Sequence, residues 1–162
     1  AGFETTVNLI GNGVLAFLAS PEQWQILKAD PERHAARAVD EILRYDSPVQ
    51  LTGRFALEDV ELEGTRIPRG HFITTLIGGA NRDPGIYPDP ARFDITRKDP
   101  APHLSFSSGI HYCLGQPLAR LEGTIAFRLL AERVDRFELA GKVRRRNRTI
   151  IRGPLTLPVT LH

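Results

Sequence analysis

Methionine is absent from the 162 residues, and cysteine and tryptophan occur once each. One cysteine cannot close an internal disulfide. That fits a reducing compartment, read as the cytoplasm, and leaves Cys113 free for chemistry. With no initiating Met, and with Ala1-Gly2 already inside a helical pattern, the chain reads as a fragment. No run of about 18 uninterrupted apolar residues occurs, and no charged-then-apolar leader precedes the first helix, so nothing points to a membrane or a secretory route. Charge of one sign is also scarce: 21 basic against 19 acidic side chains leave a net charge of +2. The basic excess gathers at Lys142, Arg144, Arg145, Arg146 and Arg148. No aromatic residue is interleaved there for stacking on bases, so the segment reads as a solvated loop and not as a nucleic-acid site. What is present, 41% apolar residues, suffices for the core of one domain.

Hydrophobic spacing orders the chain. Phe3, Val7, Ile10, Val14 and Leu18 recur in steps of three and four, predicting a helix up to Ser20 with one apolar stripe, of which Val7, Ile10 and Val14 are exposed wherever upstream partners are missing. Ser20-Pro21-Glu22-Gln23 supplies an N-cap, a Pro at the first helical position and a capping-box Gln, and Asp30-Pro31 opens a further helix similarly. In that helix Val39, Ile42 and Leu43 form the apolar face, and Ser47-Pro48 stops it, because the residue before Pro is driven out of the helical region. Val49, Leu51, Phe55 and Leu57 then alternate with polar residues as a half-buried strand does. Val60 and Leu62 continue a small sheet, Ile67 to Gly70 make a turn, and His71 to Ile77 another strand. From Gly78 to Ser108 the chain is rich in Gly and Pro without periodicity, the mark of a functional loop. Leu118, Leu121, Ile125 and Leu129 define a long helix. Thr149 to Ile151 and Leu155 to Leu161 read as a hairpin around Gly153-Pro154.

The most informative segment is Phe106-Ser107-Ser108-Gly109-Ile110-His111-Tyr112-Cys113-Leu114-Gly115, which runs straight into the long helix. A cysteine at a helix amino terminus lies where free N–H groups and the positive end of the dipole favour thiolate. Gly109 and Gly115 let backbone amides approach the sulfur. Taken alone, a buried structural cysteine is the commoner explanation. A zinc site would need further paired ligands beside His111-x-Cys113, and a cysteine nucleophile with a histidine base lacks a protease signature.

The decapeptide resembles the haem-binding signature of the cytochrome P-450 family, Phe-x-x-Gly-x-x-x-Cys-x-Gly, with every fixed position filled. Three further segments fall in the family's order. Ala1-Gly2-Phe3-Glu4-Thr5 resembles its oxygen-binding helix motif, Glu41-Ile42-Leu43-Arg44 its Glu-x-x-Arg motif, and Pro90-Ala91-Arg92-Phe93 the segment whose arginine joins that pair. Ser107 departs from the pattern, since many members carry Gly there, but it removes no ligand. Family members are more than twice this long. The chain therefore corresponds to the carboxy-terminal, haem-ligand-bearing part of a larger haem-thiolate domain over 1–162, mainly α with a small β-sheet component.

The resemblance implies a haem b cofactor with Cys113 as the axial thiolate, a ligand whose electron donation favours O–O cleavage. Glu4 and Thr5 become the proton relay, and Gly2 leaves room for oxygen beside the helix. On the same grounds Arg54 and His111 hold a haem propionate, Phe106 packs beside the ring, and Gly109 and Gly115 frame the ligand. Glu41, Arg44 and Arg92 form a buried charge network fixing the loop, and Val49, Gln50, Ile150 and Ile151 match positions that face substrate in relatives. The implied reaction inserts one atom of dioxygen into a small organic substrate, with electrons from NAD(P)H through a ferredoxin-like redox partner. The alternative is a non-catalytic remnant with weak or no haem binding. Use of peroxide without a redox partner is a third reading, against which Glu4-Thr5 speaks.

Overall fold

The protein is described by a computed structural model in which residues 2–98, 102–145 and 150–162 are defined. Helices dominate: α1 (Phe3–Ala19), α2 (Pro21–Ala29), α3 (Pro31–Tyr45), the one-turn α4 (Ile77–Ala80) and α5 (Gln116–Arg133). The strands are short. They form four antiparallel pairs: β1 (Thr52–Phe55) with β4 (Phe72–Thr75), β2 (Val60–Leu62) with β3 (Thr65–Ile67), β5 (Phe137–Leu139) with β8 (Val159–Leu161), and β6 (Arg144–Arg145) with β7 (Pro154–Thr156). The architecture is therefore mainly α with small sheets, as the sequence led us to expect.

The core lies where α1, α3 and α5 meet. Phe17, Trp24, Leu27, Val39, Ile42, Phe93, Ile95 and Phe127 are all buried there, and Phe17 meets Trp24, Phe93 and Phe127 with ring centroids 5.2, 5.3 and 5.7 Å away. Two glycines allow the close helix packing. A Cβ on Gly13 would fall 2.3 Å from the Phe127 ring, and one on Gly123 would fall 3.1 Å from Val39. Asp30 caps α3, accepting from the Arg33 N–H at 3.1 Å. Ser20 makes no side-chain cap on α2. The expected capping-box Gln23 is buried and accepts instead from the Ile95 N–H at 2.9 Å.

Two readings of the pattern are corrected, the hairpin around Gly153-Pro154 and the end of the strand from His71. The covered face of α1 is Asn8, Leu9, Asn12, Gly13, Val14, Ala16 and Phe17; of its apolar stripe Val14 is buried and Leu18 packs against the core, while Phe3 is exposed and Val7 is exposed as expected. Gly13 on this face permits the approach of Ile42 on α3 and Phe127 on α5. On α5 likewise Gly123, Phe127 and Ala131 are buried while Leu118, Leu121 and Ile125 are exposed. No hairpin forms around Gly153-Pro154: β7 pairs with β6, β8 with β5, and Ile151 bridges to Val49. The expected strand from His71 ends at Thr75, and Ile77 opens α4. In the basic segment Arg144 and Arg145 form β6, while Arg146, Arg148 and Thr149 lie outside the described residues, as does Ala1.

Candidate functional site

The loop of Cys113 is built from its backbone outward. Ser107 and Gly109 both adopt φ 62°, which folds the chain back on itself, and a one-turn 3-10 helix follows over Gly109–His111. The Cys113 N–H donates to the Phe106 carbonyl at 3.0 Å, and the Cys113 carbonyl accepts from Gln116, the first residue of α5, at 3.2 Å. Gly115 is the N-cap of α5, so Cys113 sits just ahead of the helix start. Gly115 lies beside the sulfur: a Cβ there would stand 3.8 Å from it, in ordinary contact. Cys113 is exposed, and its neighbours Ile110 and Leu114 are 97% and 100% exposed.

Gly109 meets its positive φ without strain, but Ser107 does not. A non-glycine residue in this region costs about 1–2 kcal/mol, and glycine gives back part of that through its freer unfolded chain. Ser107→Gly is expected to stabilise the protein by about 0.5–1 kcal/mol. Thermal unfolding of the two chains side by side checks this, and a lowered midpoint would refute it.

Behind the loop lies a buried frame. Arg44 has five N–H donors and uses them all: Nε and Nη2 grip the two Glu41 oxygens at 2.7 and 2.9 Å, and the rest reach the carbonyls of Asn81, Pro90 and Arg92 at 3.0, 2.9 and 3.1 Å. Glu41 Oε1 also accepts from the Asp94 N–H at 2.9 Å and from Arg97 Nε at 3.1 Å. The third cation of this network is thus Arg97 and not the expected Arg92. Arg97 is largely buried, and its guanidinium also donates to the carbonyls of Pro88, Asp89 and Arg92. Arg92 takes part through its carbonyl only. Its guanidinium is 65% exposed and stands 3.6 Å from Asp94. Burial works against ionisation of Asp94, but hydrogen bonds from Thr96 and the nearby Arg92 and Arg97 outweigh it and hold the carboxyl below the usual range.

A second set of polar groups, which no motif announces, links this frame to the loop. Asn81, fully buried, accepts from the Leu104 N–H at 2.7 Å and donates to Ser105 Oγ at 2.9 Å. Ser105 Oγ donates to the Leu43 carbonyl at 2.7 Å and accepts from Ser47 Oγ at 2.9 Å. From α3 a continuous set of hydrogen bonds therefore reaches Ser105, the residue before Phe106, whose carbonyl holds Cys113. Phe106 itself is half-buried against the core, 5.7 Å from the His103 ring.

The other expected positions are spread over four elements. Gly2, at φ 96°, precedes α1 and its carbonyl accepts from Thr6 Oγ1 at 2.9 Å, while Glu4 and Thr5 lie half-buried in the first turn. Arg54 on β1 turns its guanidinium back to Thr52 Oγ1 and the Gly53 carbonyl at 2.9 and 2.8 Å. His111 is exposed. Val49 and Ile151 form a bridge, beside which the Gln50 N–H donates to the Ile150 carbonyl at 2.8 Å. A cavity of about 630 Å³ lies beside the Cys113 loop, lined by Arg37, Asp40, His103, Phe106, Tyr112 and Arg120 among others, with neither Cys113 nor His111 in its wall.

Among the described residues, no three His, Cys, Asp or Glu side chains are grouped to hold a metal ion. A lone thiol does not build a metal site, but a metal already held in a macrocycle needs one axial donor and flat apolar walls. An exposed sulfur between the exposed Ile110 and Leu114, on a loop held rigidly from behind, suits that group.

Comparison with known proteins agrees with this geometry. The cytochrome P-450 family model matches residues 35–158. Cytochrome P-450 140 of Mycobacterium tuberculosis is 50% identical over 99% of the chain, and 6-deoxyerythronolide B hydroxylase of Saccharopolyspora erythraea is 46% identical over 99%. The chain spans 36% and 40% of the lengths of these two relatives. The crystal structure of P-450BioI in complex with an acyl carrier protein ligated to hexadec-9Z-enoic acid superposes on 98% of the chain and 41% of its own, with a TM-score of 0.93 at 48% identity. With a family model that covers the loop, the frame behind it and all of α5, the chain belongs to the cytochrome P-450 family.

Proposed function

We propose that these residues are the carboxy-terminal, ligand-bearing part of a single larger haem-thiolate domain, and that the protein inserts one atom of dioxygen into a small organic substrate, the other leaving as water with two electrons and two protons. The observation that carries this is the exposed Cys113 on a loop fixed from behind by Glu41, Arg44 and Arg97. Haem b, when bound, supplies the activation of dioxygen, and the thiolate of Cys113 supplies its electron push. Arg54 and His111 bind its propionates, charge-assisted contacts that orient the ring. Phe106, Gly109 and Gly115 shape the thiolate side, and the exposed Ile110 and Leu114 exclude water from it. On the other side Gly2 admits oxygen beside α1, and Glu4 and Thr5 pass protons inward. Val49, Gln50, Ile150 and Ile151 face the substrate.

Electrons come from NAD(P)H through a ferredoxin-like partner. Ser107, Ser108, Gly109 and Tyr112 of the loop line a cavity together with Arg37 and Arg120, and the donor is placed at those two cations. No described helix is long and apolar enough to cross a membrane. The single cysteine, left unpaired for use as a ligand, supports a reducing compartment, the cytoplasm.

The reading is tested on the full-length protein, reduced and exposed to carbon monoxide. Thiolate ligation red-shifts the Soret band, and its absence overturns the proposal. Thr5→Ala is expected to leave haem binding unchanged while product formed per NAD(P)H falls by about a hundredfold, the low end of general acid–base effects, with the lost electrons recovered as peroxide. Unaltered coupling of electron use to product removes Thr5 from the relay.

A further inference from the structure

Thr5, Asn8 and Asn12 are spaced three and four residues apart, so they make one polar line along α1. Asn12 is 1% exposed, and its Nδ2 joins two remote segments, donating to the Asp46 carbonyl at 2.9 Å and to the Arg152 carbonyl at 3.2 Å. The two segments are also tied to each other. The Gln50 N–H donates to the Ile150 carbonyl and the Arg152 N–H to the Pro48 carbonyl, each at 2.8 Å, on either side of the Val49–Ile151 bridge. Arg152 Nε lies 3.0 Å from the Asp46 carboxylate, with Arg145 at 3.9 Å from its other oxygen. Nearer to Thr5, the buried Asn8 abuts Gly153, where a Cβ would fall 2.1 Å from Asn8 Oδ1, so any side chain there would push the segment off the helix.

We propose that Asn12 is a positioning residue for oxygenation. It holds the segments bearing Val49, Gln50, Ile150 and Ile151 at a fixed height and rotation relative to Thr5 on the same helical face, and so sets the width of the substrate slot. The proposal rests on the haem-thiolate reading above. Seven residues at 1.5 Å each place Asn12 about 10 Å along α1 from Thr5, and a helix of hydrogen-bonded turns transmits that spacing rigidly. Both N–H groups of one amide are used. An aliphatic side chain therefore leaves two carbonyls unpaired, and an aspartate would turn an oxygen towards them.

The test compares Asn12→Leu with Phe17→Leu in the full-length protein, by amide exchange with and without haem and by ligand titration of the haem-loaded form. Phe17→Leu loosens the core on the same helix without removing a hydrogen bond. In Asn12→Leu the amides of Gln50 and Arg152 are expected to exchange about tenfold faster than in the control. Spectral titrations with imidazole and with 4-phenylimidazole are expected to give an affinity ratio changed by about threefold, in Asn12→Leu alone. If Asn12→Leu does not load haem, Asn12→Ser, whose hydroxyl is too short to reach both carbonyls, replaces it. Equal exchange at Gln50 and Arg152 in variant and control, or an unchanged ratio of affinities, overturns the positioning role. A wild-type protein without the thiolate spectrum overturns the haem reading instead, a result the exchange comparison keeps separate because it needs no haem.

Discussion

Replacing Cys113 with Ala or His in the full-length protein is expected to abolish thiolate ligation and with it oxygenation. The chain contains one cysteine, so no second sulfur within it can take over. Nor can the surroundings compensate: among the described residues no three His, Cys, Asp or Glu side chains are grouped to hold a metal. The structural cost should be small. Cys113 is exposed, and what its residue gives the loop is an N–H donated to the Phe106 carbonyl, which Ala and His also have. The two effects therefore separate: the ferrous carbonyl Soret band loses its red shift, product falls to background, and the thermal midpoint of the haem-free chain stays close to that of wild type. A histidine variant restores a ligand but not an anionic one, so iron can still be bound without the donation that favours O–O cleavage. An unchanged carbonyl spectrum in Cys113→Ala would remove the thiol from the site altogether.

What could be read from the sequence follows from where information is local. The Cys113 decapeptide, the Glu41 and Arg44 spacing and the order of the helices are local, and each is present in the structure as helix, turn or pair. The apolar lines of α1 and α5 were equally visible, but periodicity reports which face is apolar and not what covers it. Phe3, Val7, Leu118, Leu121 and Ile125 are exposed among the described residues. The faces that do pack use Gly13, Gly123, Asn8 and Asn12, where closeness of approach outweighs side-chain hydrophobicity. Strand partners were illegible for a different reason. Val159–Leu161 pairs with Phe137–Leu139 across intervening chain, and nothing in the turn residues Gly153-Pro154 encodes that choice. Asn81, Ser47 and Ser105 were missed because single polar residues become a network only when the fold brings them together. A buried asparagine looks like a loop residue until its two partners are known.

The same limit produced the error at Arg92, and it makes the sharpest remaining contrast. Glu41→Gln is expected to destabilise the protein by about 3–5 kcal/mol, because it leaves Arg44 and Arg97 buried without their shared carboxylate. The isosteric amide cannot stand in. Glu41 oxygens accept from Arg44 Nε, Arg44 Nη2, the Asp94 N–H and Arg97 Nε, and whichever way the amide is turned, its NH₂ faces at least one of those donors. Arg97→Ala is expected to cost less than Glu41→Gln, since the Arg44 fork survives, but it frees the carbonyls of Pro88 and Asp89 and leaves that of Arg92 to Arg44 alone. Arg92→Ala is expected to change stability by no more than about 0.5 kcal/mol, as for most exposed substitutions, because the carbonyl that joins the network belongs to every residue type. Thermal unfolding and haem retention on gel filtration, measured on the three variants together, check the ranking Glu41→Gln worst, Arg97→Ala intermediate and Arg92→Ala near wild type. If Arg92→Ala loses haem as readily as Glu41→Gln, the guanidinium of Arg92 and not that of Arg97 is the third charge of the frame.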